Sequence, residues 1–265
     1  MTRLYSIGQP VILAHRGGGR EQPENSIDAF IAVRDAGFGH VETDVHATSD
    51  GIAVFFHDDR LDRTTDGKGR VSSYTWRELQ RVRDTSGNRI VRVDEALDAC
   101  PGLVFNIDAK SNGAVEPLVR AVRSTSAGQR VCIASFSERR LRCLRSLMPA
   151  VASSLGTGAV ARIVAASRLP ARPRQRVMAS VPGPERGVQA VQVPLRSAGL
   201  PVLTPGFVEA AHARGLAVHA WTIDDVELAE RLMGMGVDGI VTDVPTAMRE
   251  HLAARGYPIT GAAQR

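Results

Sequence analysis

Short apolar, β-branched runs recur along the chain at 11–14, 40–45, 53–56, 103–107, 130–134, 150–154, 190–193, 216–221 and 239–242. Between them lie stretches with apolar positions at helical spacing, at 25–36, 75–82, 93–99, 114–123, 138–147, 159–167, 205–214, 226–233 and 245–255. Alternation of this kind over most of a chain is the pattern of parallel βα units, a sheet covered by helices. Asp50-Gly51 is a tight-turn pair, so the runs at 40–45 and 53–56 count as one strand with a hairpin-like extension. Eight strands remain. With right-handed crossovers, that number predicts an α/β fold closed as a (β/α)8 TIM-type barrel. Strand order is invisible in the pattern, and an open doubly wound sheet also satisfies it.

The length of 265 residues matches the roughly 250 that such a barrel needs, and no linker divides it. One domain over 1–265 is therefore expected. Two segments break the rhythm. The polar, glycine-punctuated stretch at about 58–92 reads as a small insertion over one end of the barrel. The stretch 167–187, rich in arginine and proline, reads as an exposed irregular loop, and the chain beyond Tyr257 as a fraying end.

Composition narrows the function classes. With 43% apolar and 23% charged residues the chain is ordinary for a soluble protein. No apolar run nears the roughly 18 residues of a membrane helix, which argues against stable membrane insertion. The opening "MTRLYSIGQPVILAHRGG" holds no h-region, which points to the cytoplasm. Cys100, Cys132 and Cys143 have no metal-site spacing and read as reduced thiols. The net charge of +5 is modest and its basic residues are scattered, so nucleic acid is not the expected partner. All but two of the 33 basic residues are arginine, which makes Lys110 unusual for this chain.

The chemistry gathers at strand ends. In "HVETDVHA", Glu42 and Asp44 are two apart and share a face of their strand. Two carboxylates side by side inside a barrel repel, and their burial is costly without a counter-charge. A hard divalent cation, calcium or magnesium, would relieve that cost. In "LVFNIDAK" the same parity aligns Asn106, Asp108 and Lys110, with Asp108 a third oxygen ligand or simply the partner of Lys110. His15 and His57 each follow an apolar run, where barrel active sites are built. Arg16 beside His15 suits bidentate contact with a phosphate, and Gly17-Gly18-Gly19 would let backbone N–H groups approach an oxyanion. Singly, each residue has a structural explanation, as a core histidine or an ion-paired carboxylate. Together they are the equipment of phosphodiester cleavage: charge stabilisation, plus two imidazoles to divide acid and base roles. The expected partner is a small-molecule phosphodiester.

The segments "AHRGGGREQPENSIDAF", "GHVETDVHATSDGIAVFFHDDRLDRTTDGKG", "FNIDAK", "HAWTIDD" and "GVDGIVTDVP" resemble the glycerophosphodiester phosphodiesterase family, in order, over roughly residues 10 to 250. The resemblance implies a TIM-type barrel that hydrolyses glycerophosphodiesters to glycerol 3-phosphate and an alcohol. It further implies attack by a neighbouring glycerol hydroxyl to give a cyclic phosphate, which water then opens. On the matching positions it implies His15 and His57 as acid–base pair, Glu42 and Asp44 as metal ligands, and Arg16 and Lys110 at the phosphate. Two positions depart from the family pattern: Asp108 stands where glutamate is usual, and Ser26 where threonine is commoner. Trp221 is a candidate for stacking on the glycerol or alcohol moiety, or an aromatic that closes the barrel top. Asn25 is the candidate N-cap of the first helix. Two other readings use the same residues, a lysophospholipase D-like enzyme acting on lipids and a catalytically retired barrel that binds phosphate esters.

Overall fold

The computed structural model describes residues 2–259. Its elements, in chain order, are β1 (Val11–His15), α1 (Ile27–Asp35), β2 (His40–Ala47), β3 (Ala53–Phe55), α2 (Trp76–Leu79), β4 (Val91–Arg92), α3 (Val93–Ala99), β5 (Val104–Ala109), α4 (Val115–Ser124), β6 (Val131–Ala134) and α5 (Glu138–Leu147). There follow β7 (Ala152–Ser153), α6 (Thr157–Ala166), α7 (Ala171–Ala179), β8 (Ala190–Val193), β9 (Arg196–Ser197), β10 (Leu200–Pro201), α8 (Pro205–Ala213), β11 (Ala217–Ala220), α9 (Val226–Gly234), β12 (Gly239–Thr242) and α10 (Pro245–Ala254).

Hydrogen bonding joins the parallel strands in the order β7-β6-β5-β2-β1-β12-β11-β8. The two ends of that sheet meet at a single bridge, Ser153 to Val188, where Ser153 N–H donates to Gly187 and Gln189 N–H donates to Ser153, both at 2.9 Å. The sheet is therefore an eight-stranded barrel with one short seam, and the open-sheet alternative is set aside. The β2–β3 hairpin and its β3–β4 continuation hang off this barrel as antiparallel pairs.

Strand parity sorts the core into two layers. Ile12, Val41, Val45, Phe105, Ile107, Val131, Ile133 and Val191 face outward to the helices. Val11, Leu13, Cys132, Ala152, Ala190, Ala217 and Val241 fill the lumen, closed below by Tyr5. Outside, Phe30 of α1, Phe55 of β3 and Phe105 of β5 form a ring triangle with centroids 5.4–5.9 Å apart. That triangle pins the β2–β3 hairpin to the barrel wall, and with it the backbone that leads to His57.

The segment at 58–92 carries two 3-10 turns and α2, and packs Leu61, Val71, Leu79, Val82 and Ile90 against Val54 and Phe56 as a small core of its own. The helix expected at 75–82 is only one turn long, held by a capping box between Thr75 and Glu78. The stretch 167–187 is not irregular as expected, since α7 occupies its middle. Pro173 falls in the first turn, where proline is tolerated, and Met178 is buried while Val177 packs on the core. Arginine and proline content concealed that apolar pair. The end expected to fray lies, from residue 260 on, outside the described residues. Among the described residues no helix is long and apolar enough to cross a membrane.

Below the strand ends the lumen is unusually polar. His219 is fully buried, its ring edge-on to Tyr5 at 4.5 Å, and lies so close to Gly239 that a Cβ there would come within 2.6 Å. Burial, helped by the charge of nearby His40, holds the His219 imidazole down to about 3. The fold thus keeps His219 neutral while the unfolded chain protonates it below about pH 6.5, so stability rises with pH across that window. His219→Asn should flatten the pH dependence of the urea-unfolding free energy by about 1.4 kcal/mol per pH unit between pH 6 and pH 4. An unchanged slope would show that this imidazole protonates within the fold.

Candidate active site

The register of three neighbouring strands assembles the polar residues. His15 of β1 pairs with Glu42 of β2, and Glu42 with Asn106 of β5; one step higher, Asp44 pairs with Asp108. All five side chains face inward at the C-terminal ends of the strands, where barrel enzymes carry their sites. They line one wall of a cavity of about 340 Å³, together with Arg16, His57 and Lys110. The facing wall is largely apolar: Phe136, Leu155, Val160, Val193, Val202 and Trp221. All eight residues singled out in the sequence therefore border one space.

Electrostatics explains the arrangement. Lys110 Nζ sits 2.7 Å from Asp44 and 2.9 Å from Asp108, so the pairing open in the sequence is made, and made twice. Arg16 Nε lies 3.4 Å from the other Asp44 oxygen. Burial alone would lower the Lys110 ammonium, but the two carboxylates overcome it and hold it above the usual lysine range. Burial, reinforced by the Asp44 charge, pushes the Glu42 carboxyl up to about 8, and burial also raises Asp108. Glu42 Oε2, Asp44 Oδ2 and Asp108 Oδ1 are buried and have no hydrogen-bond partner among the described residues. These are hard donors of the kind calcium and magnesium take. Among the described residues no three His, Cys, Asp or Glu side chains already stand in ligating geometry, and Lys110 bridges two of the candidates, Asp44 and Asp108.

Each histidine leans on a carboxylate. His15 Nδ1 lies 2.7 Å from Asp243 Oδ1, and His57 Nδ1 lies 2.6 Å from Asp58 Oδ1. Such a bond fixes the tautomer, placing the Nδ1 proton towards the acid and turning Nε2 elsewhere. His15 Nε2 is 3.7 Å from Glu42. Burial works against protonation of His15, yet the Asp243 bond and the Glu42 charge prevail and its pKa is raised. Asp243 was not legible in the sequence, where only its place at the end of the last strand run signalled it; Asp58 was signalled by standing next to His57.

The β1–α1 loop corrects two expectations. Arg16 and Asn25 both take left-handed backbone angles, φ 54° and 56°, and Asn25 N–H donates to Arg16 O at 2.8 Å. In that conformation Asn25 is not the N-cap: Ser26 is, its Oγ accepting from Ala29 N–H, while Asn25 Oδ1 accepts from Thr43. The glycines are not an anion cradle either. Gly17 N–H donates to Ala14 O, and Gly18 and Gly19 both donate to His15 O. Gly17 is required because a Cβ there would press within 2.6 Å of Ala29, on α1. They form a close turn that aims Arg16, and their N–H groups are already spent.

The comparisons agree with this geometry. The sequence model of the glycerophosphoryl diester phosphodiesterase family matches residues 15–247. A relative from Mycobacterium tuberculosis, called probable glycerophosphodiester phosphodiesterase 2, is 41% identical over 94% of this chain and 93% of its own length. A glycerophosphodiester phosphodiesterase of Caldanaerobacter subterraneus is 29% identical over 90% of this chain and 96% of its own. Among solved structures, an Oleispira antarctica phosphodiesterase in complex with its product sn-glycerol-3-phosphate superposes with a TM-score of 0.75 at 25% identity, covering 92% of this chain and 97% of that one. With a family match that starts at His15 and a relative alike from end to end, this chain belongs to the glycerophosphoryl diester phosphodiesterase family and is a phosphoric diester hydrolase.

Proposed function

We propose that the chain hydrolyses glycerophosphodiesters to glycerol 3-phosphate and an alcohol, with His15 and His57 dividing the proton transfers. One observation carries this reading. Two imidazoles, each backed by a carboxylate at Nδ1, border the same cavity as three acids, an arginine and a lysine. One imidazole takes the proton of the attacking hydroxyl, and the other gives a proton to the departing alkoxide. Arg16 and Lys110 hold the phosphate oxygens. Glu42 and Asp44, with Asp108, would hold a divalent cation, calcium or magnesium, and the three buried carboxylate oxygens that accept no hydrogen bond support that assignment. When bound, such a cation supplies Lewis-acid stabilisation of charge on a phosphoryl oxygen. Aspartate at 108 is one methylene shorter than glutamate, so it must approach the cation more closely or act through a water. Trp221, edge-on to Phe136 at 5.8 Å, forms the wall on which the alcohol rests. The product held by the Oleispira phosphodiesterase is the one this reading requires. Free thiols at Cys100, Cys132 and Cys143 suit a reducing, cytoplasmic setting.

A second reading, turnover of lysolipids, has an observation in its favour. Phe136 and Leu200 are 59% and 62% exposed, the two most exposed large apolar side chains described. Phe136 rims the cavity, and Leu200 sits on the β9–β10 hairpin whose Ser197 and neighbouring Val202 line it. An apolar wall running out to apolar lips suits an acyl chain.

Purified protein with calcium or magnesium should release glycerol 3-phosphate from choline, ethanolamine or glycerol diesters, read by phosphorus NMR. Tight binding of the diesters without turnover, across metals, would instead mark a retired barrel. Faster turnover of micellar lysolipid than of water-soluble diesters, abolished in Phe136→Ser/Leu200→Ser, would promote the lipid reading. His15→Ala and His57→Ala should each lower kcat by about 10²–10⁴-fold with cation affinity by calorimetry nearly unchanged, whereas Glu42→Ala should weaken both. Near-normal rates in both histidine variants would remove the acid–base assignment.

A further inference from the structure

Arg63 lies outside the cavity wall yet touches both halves of the site's outer framework. It ends the 3-10 turn Leu61–Arg63 in the segment after β3, and Leu61, fully buried in that segment's small core, fixes where the turn sits. Its Nε and Nη2 donate to the two oxygens of Asp58 at 2.7 and 3.1 Å. Nη2 and Nη1 also donate to the two oxygens of Glu24 at 2.7 and 3.3 Å. Asp58 is the carboxylate against His57 Nδ1, and Glu24 Oε2 accepts from Arg16 Nη1 at 3.2 Å. One guanidinium thus closes a chain running His57–Asp58–Arg63–Glu24–Arg16, and Arg16 continues it to Asp44.

We propose that Arg63 is a positioning residue for the hydrolysis, holding Asp58 and Glu24 together so that the His57 imidazole and the Arg16 guanidinium keep a fixed mutual geometry. The inference rests on the acid–base and phosphate-binding roles given above to His57 and Arg16. A stability role explains the arrangement poorly. The Arg63 side chain is half exposed, and exposed ion pairs contribute about 0–1 kcal/mol. What four directed bonds from one planar fork do provide is orientation, which a lysine ammonium cannot reproduce. Without Arg63, Asp58 keeps His57 as its neighbour but loses the partner that fixes its own rotamer, and Glu24 is tied to Arg16 alone. A displacement of about 1 Å at a reacting group can cost on the order of 100-fold in rate. Arg63 also lines an open recess of about 470 Å³ shared with His57, Asp58 and Lys110, so a small cation can reach the space its side chain would leave.

Arg63→Ala in the whole chain should lower kcat by about 10- to 100-fold with KM changed less than about 3-fold. Added guanidinium should restore most of that loss and ammonium should not, and Arg63→Lys should recover only part. Arg63→Ala and Asp58→Asn should be strongly non-additive. Nitrogen NMR of the His57 ring reads the same inference without turnover: the Nδ1–H signal should broaden or shift in Arg63→Ala and return with guanidinium. An inactive wild-type protein would sink the proposed hydrolysis while the ring spectrum still decided the role of Arg63. Unchanged kcat with an unchanged ring signal, or a loss that guanidinium does not restore, would overturn the positioning role.

Discussion

Three carboxylates packed into the mouth of a barrel set the terms for the rest of the site. Glu42, Asp44 and Asp108 arrive there because two parallel strands pair in one register, and shifting either strand by a residue would turn its acids into the helix layer. Once inside, their mutual repulsion and desolvation must be met. Lys110 and Arg16 meet part of it, burial and the Asp44 charge still raise the Glu42 carboxyl, and three of the carboxylate oxygens accept no hydrogen bond among the described residues. The cavity is electrostatically unfinished without a ligand. An anionic group entering this space would add to its negative charge, and Lys110 and Arg16 are the cations placed against it.

The histidines obey a parallel logic from opposite sides. His15 leans on Asp243, from the last strand of the barrel, and His57 on Asp58, from the segment after the hairpin. Asp243 comes from a distant part of the chain and Asp58 directly follows His57, and neither acid lines the cavity with the three carboxylates. Tautomer control is thereby kept apart from charge storage. The Phe30–Phe55–Phe105 triangle matters for the same reason, since His57 sits two residues past a ring held by van der Waals contact on two sides.

Parity arguments made much of this legible from sequence. Alternation in "HVETDVHA" and "FNIDAK" placed Glu42, Asp44, Asn106 and Asp108 on the inner face, and the structure puts them there because strand geometry leaves no choice. Contacts between distant segments were not legible. Asp243 meets His15 across more than two hundred residues, and nothing local in "IVTDVP" encodes that meeting. The glycine run misled in the other direction: its composition suited an anion cradle, but carbonyls of Ala14 and His15 had prior claim on its N–H groups. In 167–187 a composition rich in arginine and proline masked the Val177–Met178 pair that makes α7 fold onto the core. Composition speaks of averages, and two well-placed apolar residues suffice to dock a helix of about two and a half turns.

The seam between β7 and β8 carries a last implication. Every other strand junction in the barrel is a ladder, whereas this one rests on the Ser153–Val188 bridge alone. Leu155 and Gly156 follow β7, and Gln192 and Val193 close β8, so the weakest joint of the cylinder runs directly beneath the apolar wall. Breathing there would widen the apolar side of the cavity and leave the acid-lined side, built on the longest ladder, in place. The cylinder is closed most lightly beneath its apolar wall and most firmly beneath its acids.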